Sequence, residues 1–291
     1  MHQHKIQSKR IVLITGATSG IGRIIACALA RMGYCVIATA RNEAKANTLL
    51  ACYRDQYPDA QGTLDVMTCD LSDFDSVLAF ANLFRARYPH LDVLINNAGV
   101  FNRKFRETRN GIEETFQVNY LAPFLLTRLL SDRIAQSPDG RVIFTSSLLH
   151  WGLVNFSDPE GRRFYFSFNA YRQSKLALIL LARYLGRKNE SPSTSYYSYH
   201  PGIVRTHLGH SGFRFVEFGL GLLGISPEKG AQTAIFLVNA PRESLVPGAY
   251  YVRKKVHRSF PRSTDQKLAR KLYTFSEKYL EKYLAPVLQE Y

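Results

Sequence analysis

The chain has 291 residues, 46% of them apolar and 21% charged, which supplies a buried core and excludes wholesale disorder. Thirty-eight Lys and Arg against 23 Asp and Glu leave a formal charge of +15. That charge favours anionic partners: nucleotides, membrane surfaces or nucleic acid.

In chain order, apolar runs alternate with helical patterns. Residues 11–15 read as a buried strand; a Gly-rich turn follows, then helical spacing over 21–32. Strands are predicted at 34–39 and 63–69, with helices at 43–57 and 74–88. A fourth strand at 91–95 precedes a long helical pattern over 111–135 and a fifth strand at 141–146. A helix over 170–187, a strand over 194–199, a helix over 228–238 and a last strand at 249–252 complete the series. This cadence predicts an α/β fold: a Rossmann-like, doubly wound parallel sheet of about seven strands with helices on both faces. No internal repeat or low-complexity linker interrupts it, so a single domain over 1–291 is expected, with its core at about 10–255. Two segments fall outside the cadence. Residues 148–168 are rich in aromatics and turn formers, and 205–226 carry Phe213, Phe215, Phe218 and several glycines. Long irregular stretches in compact domains are usually lids or binding loops.

Cys27, Cys35, Cys52 and Cys69 form no C-x-x-C pair and crowd the first quarter of the chain. This argues against a disulfide scaffold and a four-cysteine zinc site, and for reduced thiols. The opening MHQHKIQSKR is polar and basic, with no apolar signal region. The nearest thing to an apolar span, 213–225, is interrupted by Arg214 and Glu217, so no spanning helix is expected.

Thr15-Gly16-Ala17-Thr18-Ser19-Gly20-Ile21-Gly22 follows the first strand and opens the first helix. Glycines let a backbone turn tightly and approach a diphosphate, and a helix N-terminus offers free N–H groups to it. The spacing is G-x-x-x-G-x-G, not the standard dinucleotide G-x-G-x-x-G. It resembles the cofactor turn of the short-chain dehydrogenase/reductase superfamily. Other motifs similar to that family's follow in the same order: Asn96-Asn97-Ala98-Gly99, Asn119, Ser147, Tyr171-x-x-x-Lys175 and Pro201-Gly202-Ile203-Val204-Arg205-Thr206. The resemblance implies that Thr15, Gly16, Thr18, Ser19, Gly20, Ile21 and Gly22 cradle a dinucleotide. It further implies that Asp70 and Leu71 meet its adenine. Asn97, Ala98, Gly99, Pro201, Gly202, Val204 and Thr206 would line it, with Tyr171 and Lys175 also in contact.

An acid at the end of the second strand favours NAD, and a cation favours NADP. Here stand Ala40-Arg41, with no acid before Glu43. Arg41 offers a planar fork suited to a 2′-phosphate, and Arg23 can add a second charge, so NADP(H) is expected.

Tyr171 and Lys175 are one helical turn apart. A tyrosine is a poor acid–base group at neutral pH, and a nearby ammonium is expected to lower its pKa toward usefulness. Ser147 would hold the substrate oxygen. By resemblance, Asn119 would support Lys175 through a water. Tyr-x-x-x-Lys alone is cheap: Tyr279-Leu-Glu-Lys282 shows near-matches in this same chain. One departure stands out. Ser147 and Tyr171 are 24 positions apart, about twice the family's usual spacing, so an insertion must loop out between them. Of the adjacent Ser146 and Ser147, the second is the family's serine.

The insertion, with Tyr199-His200-Pro201-Gly202, Gly230-Ala231-Gln232-Thr233 and Gly248-Ala249-Tyr250-Tyr251, resembles the retinol dehydrogenase branch, which also holds WW-domain oxidoreductases and protochlorophyllide reductases. That implies a small apolar carbonyl or alcohol substrate: retinal, a long-chain aldehyde or a steroid ketone. The 205–226 loop, with Leu208, Phe213, Phe215, Val216 and Phe218, suits an apolar lid. Many members of the branch carry an N-terminal anchor, and none is expected here. A cytoplasmic protein is expected, with peripheral membrane contact left open. In the tail, 265–291, Leu268, Leu272, Phe275, Tyr279 and Tyr283 share a stripe opposite Lys267, Arg270, Lys271, Lys278 and Lys282. Such a helix docks on its own domain or lies on a membrane. His200, His207 and His210 lack a fourth ligand at a recognisable spacing, so no metal is expected. The charge is dispersed, with short clusters such as Arg253-Lys254-Lys255 and no reader motif, so nucleic acid is not the expected partner. A homo-oligomer is expected by resemblance, joined through the long helices carrying Asn119 and Tyr171. The alternative function is a catalytically silent NADP-binding sensor or scaffold, which the intact Tyr171–Lys175 pair disfavours.

Overall fold

The structure, a computed structural model, describes residues 9–202 and 225–288. These form one eight-stranded sheet in the order β3-β2-β1-β4-β5-β6-β7-β8. β1 (Ile11–Ile14), β2 (Cys35–Ala40), β3 (Thr63–Thr68), β4 (Val93–Asn96), β5 (Gly140–Thr145), β6 (Thr194–His200) and β7 (Tyr250–Val252) are parallel. These are the seven strands the sequence predicts. The eighth, β8 (Lys255–Val256), returns antiparallel to β7 through Arg253 and Lys254, both at positive φ. Two exposed residues are too few to show a period, so this strand is invisible to periodicity.

Side chains alternate along each strand and so feed two cores. Val12 and Ile14 pack with α1 (Gly20–Arg31), α2 (Glu43–Gln56) and α8 (Pro227–Asn239), through Ile25, Leu29, Leu49, Ala234 and Leu237. Ile11 and Leu13 face the other layer, with α3 (Phe74–Arg87), α5 (Ala122–Leu129) and α7 (Ser167–Lys188).

The helical pattern over 111–135 is not one helix. It runs as α4 (Glu114–Phe116), a π-helical turn at Gln117–Leu121, α5, and α6 (Ser131–Ala135). Pro123 explains the break. It has no N–H to give the carbonyl of Asn119 four residues back, and its ring would clash there in a regular α-helix. The widened turn relieves the clash and sets the orientation of Asn119.

The tail folds onto this second layer. α9 (Gln266–Tyr279) lies against α7, and α10 (Glu281–Leu288) against α5. Leu272, Tyr273, Leu280 and Leu284 are buried, Tyr273 stacks on Tyr184 at 4.4 Å, and the Tyr120 and Ser276 hydroxyls are 2.7 Å apart. Of the two destinations weighed for this helix, docking is the one realised. Its lysines and Arg270 remain exposed. The tail thereby covers the outer side of the helices expected to join subunits. No helix among the described residues is long and apolar enough to cross a membrane.

Candidate active site

Every described residue of the predicted site lies at the carboxyl ends of the strands, around the point where strand order reverses between β1 and β4. Open α/β sheets bind ligands there. Beyond β1, Gly16 has φ +68°, and a Cβ on it would stand 2.7 Å from the Ala98 Cα. Only glycine lets the turn lie this close to the β4 loop. The two turns are stitched together. The Asn97 and Ala98 amides donate to Thr15 Oγ1 at 3.0 and 3.1 Å, and Asn97 Nδ2 donates to the Thr15 carbonyl at 2.9 Å.

Thr18, Ser19, Gly20, Ile21 and Gly22 carry the chain into α1. Ser19 occupies the N-cap without a side-chain capping bond, and no acid stands in the first turn. The helix therefore presents uncapped N–H groups and its positive end to the crevice. Arg41, just past β2, and Arg23 are exposed and make no ion pair among the described residues. Asp70 Oδ1 accepts from the Ser72 amide and hydroxyl at 2.9 and 2.7 Å, and Leu71 is buried.

The four residues assigned to chemistry converge. Tyr171 and Lys175 sit on α7, and Ser147 follows β5 with its side chain near enough to the Tyr171 phenol to act on its pKa. Asn119 Oδ1 accepts from the Val100 amide at 2.7 Å, while its Nδ2 donates to the Val100 carbonyl at 2.9 Å and to Ser174 Oγ at 3.1 Å. Ser174 in turn donates to the Tyr171 carbonyl at 2.7 Å. Asn119 thus fastens the β4 loop to the helix bearing Tyr171. A Cβ on Gly99 would stand 3.2 Å from Lys175 Nζ, so that ammonium lies against the bare backbone of the loop.

The electrostatics differ from the expectation in one respect. Lys175 Nζ lies 5.5 Å from the Tyr171 ring centroid and donates to the Thr145 carbonyl at 3.0 Å. In the protein alone, burial pushes the Tyr171 pKa up, and the Ser147 side chain only partly opposes this. The predicted lowering by Lys175 is not what sets Tyr171. Burial also lowers Lys175 itself, to about 8.

Ser146 and Ser147 are told apart by their bonds. The Ser146 hydroxyl is buried and donates to the Lys175 carbonyl at 2.8 Å, which fixes β5 to α7. Phe101 stands edge-on to both Tyr171 and Phe168 at 5.4 Å, forming an aromatic wall beside the phenol. Pro201 and Gly202 turn away from β6, with Gly202 at φ +98°. Val204, Thr206, and His207 and His210 lie outside the described residues, as do positions 205–224 of the predicted lid. Sequence reasoning gave no role in the site to Ser174, Thr145 or Phe101. Ser174 was within reach, since it sits inside Tyr171-Arg-Gln-Ser-Lys175.

A model of the short chain dehydrogenase family matches residues 10–214. Retinol dehydrogenase 14 of Mus musculus is 38% identical over 286 residues, covering 92% of this chain and 85% of that protein. Polyprenol dehydrogenase of Homo sapiens is 34% identical over 278 residues, covering 92% and 84%. Among solved structures, an uncharacterised protein from Mycobacterium paratuberculosis superimposes with a TM-score of 0.74 at 29% identity, covering 92% of each chain. A protein described as an NAD(P) dependent gluconate 5-dehydrogenase from Beutenbergia cavernae, with bound NADP, gives 0.63 at 26% identity, covering 78% and 88%. The chain belongs to the short-chain dehydrogenase family, in its retinol dehydrogenase branch, and is an oxidoreductase of CH–OH and C=O groups that works with a nicotinamide cofactor.

Proposed function

We propose that the protein is an NADP(H)-dependent oxidoreductase of apolar carbonyls and alcohols, with Tyr171 as the proton donor and acceptor. The observation that carries this reading is the convergence of Ser147, Tyr171, Lys175 and Asn119 beside the uncapped N-terminus of α1. The donor set fits a dinucleotide: a glycine cradle a Cβ would fill, free helix N–H groups for a diphosphate, and Arg23 and Arg41 for a 2′-phosphate. Thr15, Gly16, Thr18, Ser19, Gly20, Ile21 and Gly22 would hold the diphosphate side, Asp70 and Leu71 the adenine, and Asn97, Ala98, Gly99, Pro201 and Gly202 the rest. When bound, the nicotinamide gives or takes the hydride.

The chain's own groups handle the proton. Burial keeps the Tyr171 hydroxyl protonated at neutral pH, so it is poised to donate to a carbonyl oxygen. The Ser147 Oγ accepts from the Leu149 amide at 3.1 Å, which leaves its own proton for the Tyr171 side of the pocket. Lys175, lowered to about 8, can pass a proton near neutral pH. Phe101 and Phe168 favour an apolar substrate and exclude water beside the phenol.

The test is a consumption screen of NADPH against NADH with all-trans-retinal, decanal, a steroid ketone and a small aromatic ketone, with Tyr171→Phe alongside. NADPH-dependent turnover of the apolar aldehydes, lost in the variant, is expected. Clear NADPH binding without turnover would favour a sensor instead, and a preference for NADH would overturn the role given to Arg41.

A further inference from the structure

Ser147 is the member of the site least supported by regular structure. β5 ends two residues before it, and the irregular insertion begins just after it. Its carbonyl oxygen nevertheless receives two side-chain hydrogen bonds: from His150 Nδ1, three residues on, at 2.7 Å, and from the Tyr250 hydroxyl of β7 at 3.1 Å. The other nitrogen of the same ring, His150 Nε2, accepts the Phe260 amide at 2.9 Å. A nitrogen that accepts from an N–H carries no proton, so the neutral ring holds its proton on Nδ1 and must donate to Ser147. The ring is 5% exposed and packs on Tyr250 with centroids 4.9 Å apart.

We propose that His150 is a positioning residue for Ser147: as a neutral imidazole it clamps the Ser147 carbonyl, ties it to the Phe260 backbone, and thereby holds the Ser147 hydroxyl toward Tyr171. The inference rests on the catalytic role given to Ser147 above. A carbonyl held from two sides fixes the peptide plane after Ser147. With that plane fixed, the Leu149 amide reaches Ser147 Oγ and turns the hydroxyl proton outward. The clamp works only while the ring is neutral. A second proton would sit on Nε2 and face the Phe260 N–H. Burial opposes that proton most, followed by the positive Arg183 of α7 and by His257 after β8; His200 of β6 also senses the ring. Tyr250 of β7 completes the set of titratable groups facing it. The Ser147 carbonyl, and more weakly the Leu148 backbone, pull the other way.

The experiment compares wild type, His150→Asn, His150→Leu and Tyr250→Phe as full-length proteins. An Asn amide nitrogen occupies the place of Nδ1 and keeps the donation to Ser147 while losing the acceptor for Phe260. His150→Leu should lower kcat for NADPH-dependent reduction of decanal about a hundredfold, the scale for losing one oriented donor, with the NADPH Kd within about twofold. His150→Asn should recover at least about tenfold of that loss, and its kcat should lack the acid limb of the wild type. Tyr250→Phe keeps the ring and removes the second donor, so it should show a smaller loss of the same kind. This variant reports even where His150→Leu fails to fold. Nitrogen-15 NMR of labelled histidine should show the Nδ1-protonated tautomer at pH 7.5. Equal losses in Asn and Leu, a fall in NADPH affinity in step with kcat, or an Nε2-protonated ring would overturn the proposal. A wild type inactive on every carbonyl of the screen would overturn the functional reading with it.

Discussion

Lys175 carries a cost that substitution can expose. Its side chain is 3% exposed, its ammonium donates to the Thr145 carbonyl at 3.0 Å, and no carboxylate pairs with it among the described residues. Burial lowers its pKa from 10.5 to about 8. At 1.36 kcal/mol per unit, holding the charged form costs the folded protein about 3 kcal/mol. Lys175→Met keeps most of the stem and removes the charge. Leaving the Thr145 carbonyl one bond short takes back about 1 kcal/mol. The variant should therefore be about 2 kcal/mol more stable at pH 7, a rise of about 5 °C in Tm for a chain of this size. Because the folded pKa lies below the unfolded one, the penalty is present in full below about pH 8 and fades as pH rises through about 10.5, above which both states are neutral. Thermal and urea melts of both proteins at pH 7, 9 and 10.5 should show the advantage shrinking along that series, while turnover falls about 10²–10⁴-fold. A variant less stable at pH 7, or an advantage that does not change with pH, would refute the argument.

Tyr171→Phe removes one oxygen and should cut turnover about 10²–10⁴-fold, with NADPH affinity, read by fluorescence, within about twofold. Arg41→Ala should weaken NADPH binding by roughly tenfold to a hundredfold and leave NADH binding unchanged, since a charge-assisted contact is worth about 1.5–3 kcal/mol; isothermal titration with both cofactors decides it. His200 Nδ1 accepts the Gly202 amide at 3.1 Å, and burial lowers its pKa from 6.5 to about 4. The unfolded chain therefore takes up the proton first, so about 3 kcal/mol of stability drains away as pH falls from about 6.5 to about 4. His200→Asn, which keeps an acceptor and does not titrate, should flatten that part of a urea-melt pH series. Leu272→Ala, at a tail position 1% exposed against the second core, should cost about 2–5 kcal/mol in denaturant midpoints; a loss near zero would mean that the tail does not hold this core in solution.

What the sequence could and could not reveal follows from the range of the signals. The β1–turn–α1 unit is local: an apolar run, glycines and a helical period within some twenty residues, and each element forms where those signals place it. The break at Asn119 was less legible, although Pro123 stood in plain view. The apolar spacing runs on through 111–135, and periodicity does not register one missing N–H. The tail's stripe was legible, but its destination was not, because Tyr184 and Tyr120 meet Tyr273 and Ser276 only after the sheet has brought them together. Tyr171 marks the same limit in chemistry. Spacing put an ammonium one turn away, yet the environment of the phenol is set by burial and by Ser147, which comes from another strand.

The insertion shows why chain distance between Ser147 and Tyr171 matters little. Ser147 is placed by β5, Tyr171 by α7, and the Ser146 hydroxyl and the Lys175 ammonium each bond across between those two elements. What lies between Ser147 and Tyr171 along the chain need only return to its starting point. The extra residues are held by their own bonds. Gln173 of α7 accepts from the Asn155 amide and donates to the Pro159 carbonyl, both at 2.7 Å. Glu160, nearly buried, accepts from the Glu113 amide at 2.9 Å and from the Tyr279 hydroxyl at 2.5 Å. Glu113 in turn caps α4 through the Thr115 and Phe116 amides, one turn before Asn119. The segment is therefore a wedge tied to the site helices and to the tail rather than a free flap, and lengthening the Ser147–Tyr171 interval leaves their geometry to the sheet.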